Sequence, residues 1–355
     1  MSPTPTVSRD PVTTQPAGGA AIVRRPRRLR AVWFLASLAA LAALGAWSVA
    51  VGSREVALDD ILAALGGSSE TLSEAAVTKR IPRTLLAFTV GGALGLAGAV
   101  MQGVTRNPLA DPGILGVNMG ASLAVITGIA WFGLSTPSSY VWLAIAGAAL
   151  SAAFVYGVGS LGRGGATPLK LALAGTATSA AFSSFITAVV LPRNDIAGGV
   201  RSWQIGGVGG ASFDSITLVL PFLAVGALLS LGAARGLNSL ALGDDLAAGL
   251  GERVALTRAT AALGAVLLCG AATAVAGPIG FVGLVVPHLC RLLVGVDHRW
   301  LLPFSAVGGA ALLTAADVVG RIVARPSEVD VGIITALVGA PFFIYVVRRH
   351  KVHSL

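Results

Sequence analysis

The amino-acid sequence predicts an all-α, polytopic membrane protein with about ten transmembrane helices. Three observations carry that reading. Of 355 residues, 55% are apolar and 12% charged, with a mean hydropathy of +0.82; soluble domains carry about 25% charged residues. Apolar runs long enough to cross a bilayer recur along the chain, a hydrocarbon core of roughly 30 Å needing about 20 residues of helix. Finally, 46 glycines and abundant alanine suit a packed bundle, because small residues let helix backbones approach closely in lipid.

The elements follow in order. Residues 1–30 are rich in Pro, Thr and Arg without apolar periodicity and are expected to form a disordered, basic cytoplasmic tail. The tail ends in Arg24, Arg25, Arg27, Arg28 and Arg30, directly before the uncharged run 31–51. A basic start before an apolar stretch also describes a signal peptide. This run is longer than such a core and many similar runs follow, so an uncleaved first span is expected. Further spans are expected at 84–105, 113–134, 139–160, 171–192, 215–234, 259–276, 279–296, 300–320 and 331–347. Gly277-Pro278 divides an uncharged stretch too long for one helix, since Gly and Pro interrupt helices. Small residues four apart, Gly91/Gly95 and Gly116/Gly120, are read as helix-packing positions.

Loop charges orient the bundle. With the N-terminus inside, the inner loops and tails hold 17 of the 25 Lys and Arg residues. The outer loops hold Arg54, Lys79, Arg80, Arg83, Arg193, Arg201, Arg321 and Arg325. That asymmetry follows the positive-inside tendency. An even number of spans then puts Arg348-Arg349-His350-Lys351 inside too, so both termini are expected to be cytoplasmic.

The net charge of +9 does not indicate a nucleic-acid partner, because the basic residues sit in short loops between apolar runs. Cys269 and Cys290 lie in apolar stretches and read as small packing residues, with no metal-site or disulfide spacing. Few ionisable residues fall inside the spans; Asp317 and Arg291 lie near span ends. Ion-coupled transporters usually carry intramembrane Asp, Glu or His as relays, although backbone carbonyls can also hold Na⁺. No Gly-x-x-x-x-Gly-Lys-Ser/Thr phosphate loop occurs, so an energised pump would need a separate ATPase. No His-Glu-x-x-His pair suggests a membrane metalloenzyme, and His288, His298, His350 and His353 read as structural or solvated. No cofactor is expected.

Several ordered motifs go further than composition. They are Arg80-Ile81-Pro82-Arg83, Gly91-Gly92-Ala93, Met101-Gln102-Gly103 and Asn107-Pro108-Leu109-Ala110-Asp111-Pro112-Gly113-Ile114-Leu115-Gly116. The run from Gly277-Pro278 to Val286-Pro287-His288 follows, then Asp297-His298-Arg299 and Gly339-Ala340-Pro341-Phe342-Phe343. In type and order these resemble the FecCD-type permeases of ABC importers, which serve iron–siderophore, vitamin B12 and haem uptake. The resemblance covers roughly 31–350, which it makes the permease domain.

What the resemblance implies is specific. The chain would be a permease subunit in the bacterial cytoplasmic (inner) membrane, making no chemical bond itself. Its partners would be a second permease subunit (a copy or a paralogue), two ATP-binding cassette ATPase subunits, a periplasmic or lipid-anchored substrate-binding protein, and membrane lipid. Ferric siderophore is the expected cargo, with cobalamin and haem as alternatives; an ion-coupled secondary transporter is the alternative of a different class. Asn107 and Leu109 would help close a cytoplasmic gate, though the Pro- and Gly-rich run also reads as a plain connector. The loop at about 237–257 resembles the family's coupling helices, with Gly243, Ala247, Leu250 and Gly251 in place and Asp244 where Glu is usual; a simple surface hairpin is the other reading. Arg80, Arg83 and Arg321 stand where family arginines receive acidic residues of the binding protein. Interfacial anchoring is the alternative for Arg80 and Arg83, and Arg325 competes with Arg321.

Overall fold

A computed structural model describes residues 26–113, 115–161 and 167–349. Residues 1–25 of the expected tail, and the C-terminal residues 350–355, lie outside that set.

Among the described residues the regular structure is entirely helical. The helices are α1 (Arg27–Ala50), α2 (Leu58–Leu65), α3 (Leu72–Thr105), α4 (Val117–Phe132), α5 (Pro137–Gly159), α6 (Pro168–Val190) and α7 (Asn194–Ile205). Then come α8 (Phe213–Gly232), α9 (Ala234–Leu240), α10 (Asp244–Gly249), α11 (Val254–Ala276), α12 (Val282–Val294), α13 (His298–Val323) and α14 (Val331–Arg349). Seven of them, α1, α3, α5, α6, α8, α11 and α13, are long and apolar enough to cross a membrane. The shorter apolar helices α4, α12 and α14 stand where the three remaining spans are expected. The chain is thus an all-α polytopic membrane protein, and among the described residues ten apolar helices stand in the ten expected places.

The packing is built around α3 and α13, which make the most extensive contact in the bundle. Small residues make it. A Cβ on Gly95 would collide with the Ser305 carbonyl, and one on Gly309 with that of Gly91, so the two backbones touch as close helix pairs in lipid do. The expected Gly91/Gly95 pair is therefore a contact surface. Of the second pair, Gly120 packs in the same way on Gly147 of α5, whereas Gly116 is the left-handed N-cap of α4.

Two departures from the sequence expectation have physical causes. First, α3 starts at Leu72 instead of 84 and takes Glu74, Lys79, Arg80, Pro82 and Arg83 into the helix. A capping box opens it: Thr71 Oγ1 accepts from the Glu74 N–H at 3.2 Å, and Glu74 accepts from the Thr71 N–H at 3.4 Å. A hydropathy ruler stops at these charges, but the arginines find partners and stay helical. Second, α12 has 13 residues, about 20 Å of helix, less than a bilayer core. The segment 277–281 before it is not helical, and irregular backbone at membrane depth needs protein partners. Asn118 Nδ2 donates to the Ile279 carbonyl at 3.4 Å, and Gln102 Nε2 to that of Gly283 at 3.1 Å.

Candidate functional site

The residues singled out by sequence fall into two groups at opposite ends of the bundle. One end gathers the last turn of α1, the start of α3, the close of α13 and the loop before α14. Arg80 reaches back to α1 and beyond, donating to the carbonyls of Val49 (3.3 Å), Ala50 (3.0 Å) and Arg54 (2.7 Å). Arg321 does the same from α13, donating to the carbonyls of Ser48 and Val51 (2.9 Å each) and to Ser48 Oγ (2.7 Å). The Ser48, Val49 and Ala50 carbonyls belong to the last turn of α1, whose acceptors have no intrahelical donor, and those of Val51 and Arg54 follow it in the chain. Two arginines therefore close that helix.

Asp317 joins the group. Its carboxylate takes Arg83 side-on, with Nε at 2.9 Å and Nη2 at 2.8 Å from Oδ1, and pairs with Arg321 Nε at 3.1 Å one turn along α13. Arg83 Nη1 also donates to Glu328 at 2.5 Å, and Ser53 Oγ donates to the other Glu328 oxygen at 2.8 Å. Burial pushes the Glu328 carboxyl up, but the hydrogen bond and charge of Arg83 outweigh it and hold the group below the usual range. The side chains of Asp317 and Arg321 are each 1% exposed, that of Arg83 13% and that of Glu328 36%.

The structure thus brings Arg80, Arg83 and Arg321 together but presents none of them as an unpaired surface cation. The outward members are Glu328 and Arg325, the latter 3.9 Å from Glu55. Sequence reasoning noted Asp317 only as a rare intramembrane acid and passed over Ser48 and Glu328. The Asp317/Arg321 spacing of four was the available signal.

The opposite end carries α9 and α10. Gly243 precedes α10 with φ +105° and Gly251 follows it with φ +83°, a left-handed region that glycine enters without strain. Asp244 does not face outward alone; its Oδ1 pairs with Arg258 Nη2 at 2.9 Å and Arg106 Nη2 at 3.3 Å, tying α10 to α11 and to the end of α3. Ala247 is fully buried in the main core. Leu250, by contrast, is 69% exposed, and Leu246 (64%) and Leu242 (57%) accompany it. Leu246 lies on α10, with Leu242 in the turn before it and Leu250 at its close, and together they make an exposed apolar ridge. Two of them were missed from sequence although their spacing is plain.

At this same end Asn107 and Leu109 sit in the turn after α3. Asn107 Oδ1 accepts from the Leu109 N–H at 3.0 Å, a local turn that Asn favours. Two residues on, Asp111 Oδ1 accepts from the Gly113 N–H at 2.7 Å, while Oδ2 lies against Gly283 at the start of α12. The residue is half-buried, and burial raises the pKa of its carboxyl to about 6. Two motif blocks meet elsewhere: His288 and Phe342 pack edge to face with centroids 5.7 Å apart. Among the described residues no group of His, Cys, Asp and Glu is arranged as metal ligands, and Cys269 and Cys290 are buried free thiols.

The outer faces of two spans also have a functional look. Thr176, Ser184 and Thr187 of α6 are exposed, each hydroxyl bonded to its own helix backbone. An apolar groove of about 600 Å³ runs along α14, lined by Ile205, Ile333, Leu337 and Pro341 among others.

Ten apolar helices packed around α3 and α13, with an ion network at one end and a leucine-ridged helical knob at the other, define a polytopic membrane permease. The chain belongs to the FecCD transport family, whose model matches residues 40–349. It is 44% identical over 315 residues to the iron(3+)-hydroxamate import system permease protein FhuB of Bacillus subtilis (strain 168), covering 88% of this chain and 82% of that one. It is 43% identical over 306 residues to the ferric enterobactin transport system permease protein FepD of Escherichia coli (strain K12), covering 86% and 91%. A solved inward-facing structure of a metal-chelate type ABC transporter matches with a TM-score of 0.76 at 27% identity, covering 90% of this chain and 99% of that one.

Proposed function

We propose that this chain is the permease subunit of a binding-protein-dependent ABC importer that carries a ferric siderophore inward across the bacterial cytoplasmic membrane. The observation that carries the reading is the exposed ridge Leu242, Leu246 and Leu250 on a glycine-bounded knob. Exposed leucines beyond the spans suit a groove on another protein, and an importer needs an ATPase there. The named relatives supply the cargo class: both handle iron held by organic chelators. Both termini and the knob lie on the cytoplasmic side in this reading, in line with the loop charges.

The cycle follows from that arrangement. A loaded binding protein docks at the end where α1 closes and α3 begins. Arg83 receives a carboxylate of the incoming protein in exchange for Glu328, while Arg80 and Arg321 hold the ends of α1, α3 and α13 beneath it. Two permease subunits, copies or paralogues, enclose the passage, to which α6 and α14 contribute hydroxyl and apolar faces. Two ATPase subunits grip the knobs, with Gly243 and Gly251 bounding the moving element, Asp244 anchoring it, Ala247 seating it and Leu250 making the contact. Asn107 and Leu109 close the inner gate.

The test is uptake of labelled ferric siderophores, haem and cobalamin in cells with and without the gene. Loss of one ferric chelate, restored by the intact gene and abolished by an inactive ATPase, is the expected result. Dependence of haem or cobalamin instead would change the cargo. Uptake that survives ATPase inactivation and collapses with the ion gradient would overturn the importer reading.

A further inference from the structure

The Asp297-His298-Arg299 block lies outside the gate, the docking face and the leucine ridge, yet it is built to close tolerances. Asn238 of α9 donates from Nδ2 to Asp297 Oδ1 at 2.7 Å. Its Oδ1 accepts from the His298 backbone N–H and from His298 Nδ1, both at 2.9 Å. A backbone N–H can only donate, so the amide orientation is fixed, and Nδ1 of the imidazole must carry the hydrogen. The ring is buried, with Nε2 pressed on Gly103 of α3, 2.7 Å from where a Cβ there would stand. Asp297 also caps its own helix, accepting from the Arg299 N–H at 3.1 Å, and lies 3.7 Å from Arg30 at the start of α1.

From this geometry we infer that Asn238 is the positioning residue that joins the α9–α10 knob to α13, acting as a cap supplied from the neighbouring helix. The first N–H groups of a helix lack intrahelical acceptors. Here Asp297 satisfies the Arg299 N–H from within, and Asn238 satisfies that of His298 from α9. A displacement of α9 must carry the start of α13 with it or leave a buried donor unpaired, which is costly. The 26 residues of α13 make a rod of about 39 Å, and its far end holds Asp317 and Arg321 in the opposite ion network. An asparagine is needed because the joint requires one donor toward a carboxylate and one acceptor toward two N–H groups on a short stem.

The inference rests on the proposed ATPase role of the knob, and the experiment keeps the two apart. The complex of permease, ATPase and binding protein is reconstituted in liposomes, and substrate imported per ATP hydrolysed is compared at equal amounts of assembled complex. Asn238→Asp sets a carboxylate against Asp297 and should lower that ratio about tenfold, as losing one or two buried hydrogen bonds would. The paired exchange Asn238→Asp with Asp297→Asn again sets a donor against an acceptor across the joint, giving up only the Arg299 N–H that shares Asp297 Oδ1, and should recover most of the ratio. A purely structural role would lower the yield of complex and leave the ratio alone. An unchanged ratio in the single variant, or an assembled exchange variant whose ratio stays low, overturns the joint. If the single variant fails to assemble, the exchange variant alone decides. Failure of the unsubstituted chain to bind any ATPase would instead remove the proposed function.

Discussion

The two ends of the bundle solve opposite problems. At the end where α1 closes and α3 begins, charges are taken inside: Asp317 and Arg321 are almost wholly buried, and every arginine of the group has a named acceptor. At the α9/α10 end, apolar side chains are left outside: three leucines stand more than half exposed while Ala247 and Asp244 hold the element from beneath. Buried charge makes a surface rigid, because removing any partner strands the others. Exposed leucines on a short, glycine-bounded element contribute little to the fold and are free to serve a partner. The contrast therefore separates residues that shape an end from residues that touch something there, and substitutions should divide the same way.

The largest effect on stability is expected at the centre of the ion network. Asp317→Ala leaves Arg83 and Arg321 without their shared counter-ion, which costs about 3–5 kcal/mol for a buried pair. Most of the protein should be lost from the membrane fraction, and what remains should melt far earlier in detergent. Melting within a few degrees of the unsubstituted chain would show that the network does not hold this end together.

A smaller, pH-dependent effect is expected at Asp111 near the other end. Its folded pKa of about 6 lies above the ordinary 3.8, so the folded protein keeps a proton that the unfolded chain gives up. The resulting stability is complete below the unfolded pKa and is lost as pH rises through about 6. Between pH 5 and 7.5 the chain should lose on the order of 1–2 kcal/mol that Asp111→Asn does not lose. Melting curves of the two proteins across that range check it, and parallel curves would refute it.

Legibility in the sequence differs between the ends for a physical reason. The spans were readable because each is an apolar run, and the Gly91/Gly95 contact because small residues four apart suit close helix packing in lipid, although the same spacing at Gly116/Gly120 begins with a helix cap. The ion network was half readable. Arg80, Arg83 and Arg321 were found, but their partners are far away in sequence: α1 carbonyls, Asp317 and Glu328. Sequence therefore showed the cations as outward and unpaired. The knob was legible in a different way. Gly243, Asp244 and Leu250 were visible as a block, yet burial within a six-residue helix depends on which face meets the core. That face took in Ala247 and left Leu246 outside, as the turn before it left Leu242.

Glu328 stands between the two regimes, half exposed but bonded to Arg83. Glu328→Gln should cost at most about 1 kcal/mol, as solvent-exposed ion pairs do. If Arg83 exchanges Glu328 for a carboxylate of the binding protein, the same substitution should tighten docking several-fold, measured as affinity for the permease–ATPase complex in detergent or nanodiscs. Unchanged affinity, with Arg83→Glu also without effect, would remove Arg83 from the docking face.

The smallest effect on stability is expected where the effect on function is greatest. Leu250 is 69% exposed, and substitutions at such positions stay within about 0.5 kcal/mol. Leu250→Glu should therefore insert and melt like the unsubstituted chain. A carboxylate on the ridge cannot enter an apolar groove without losing its hydration, so the ATPase should no longer co-purify and uptake should stop. Adding Leu246→Glu should change nothing more, because contact is already lost. If Leu250→Glu retained both ATPase and uptake, the ridge would be a lipid-facing surface and the contrast between the ends would lose its functional half. If it unfolded the protein, the knob would be part of the core, and exposure would not separate shaping residues from touching ones.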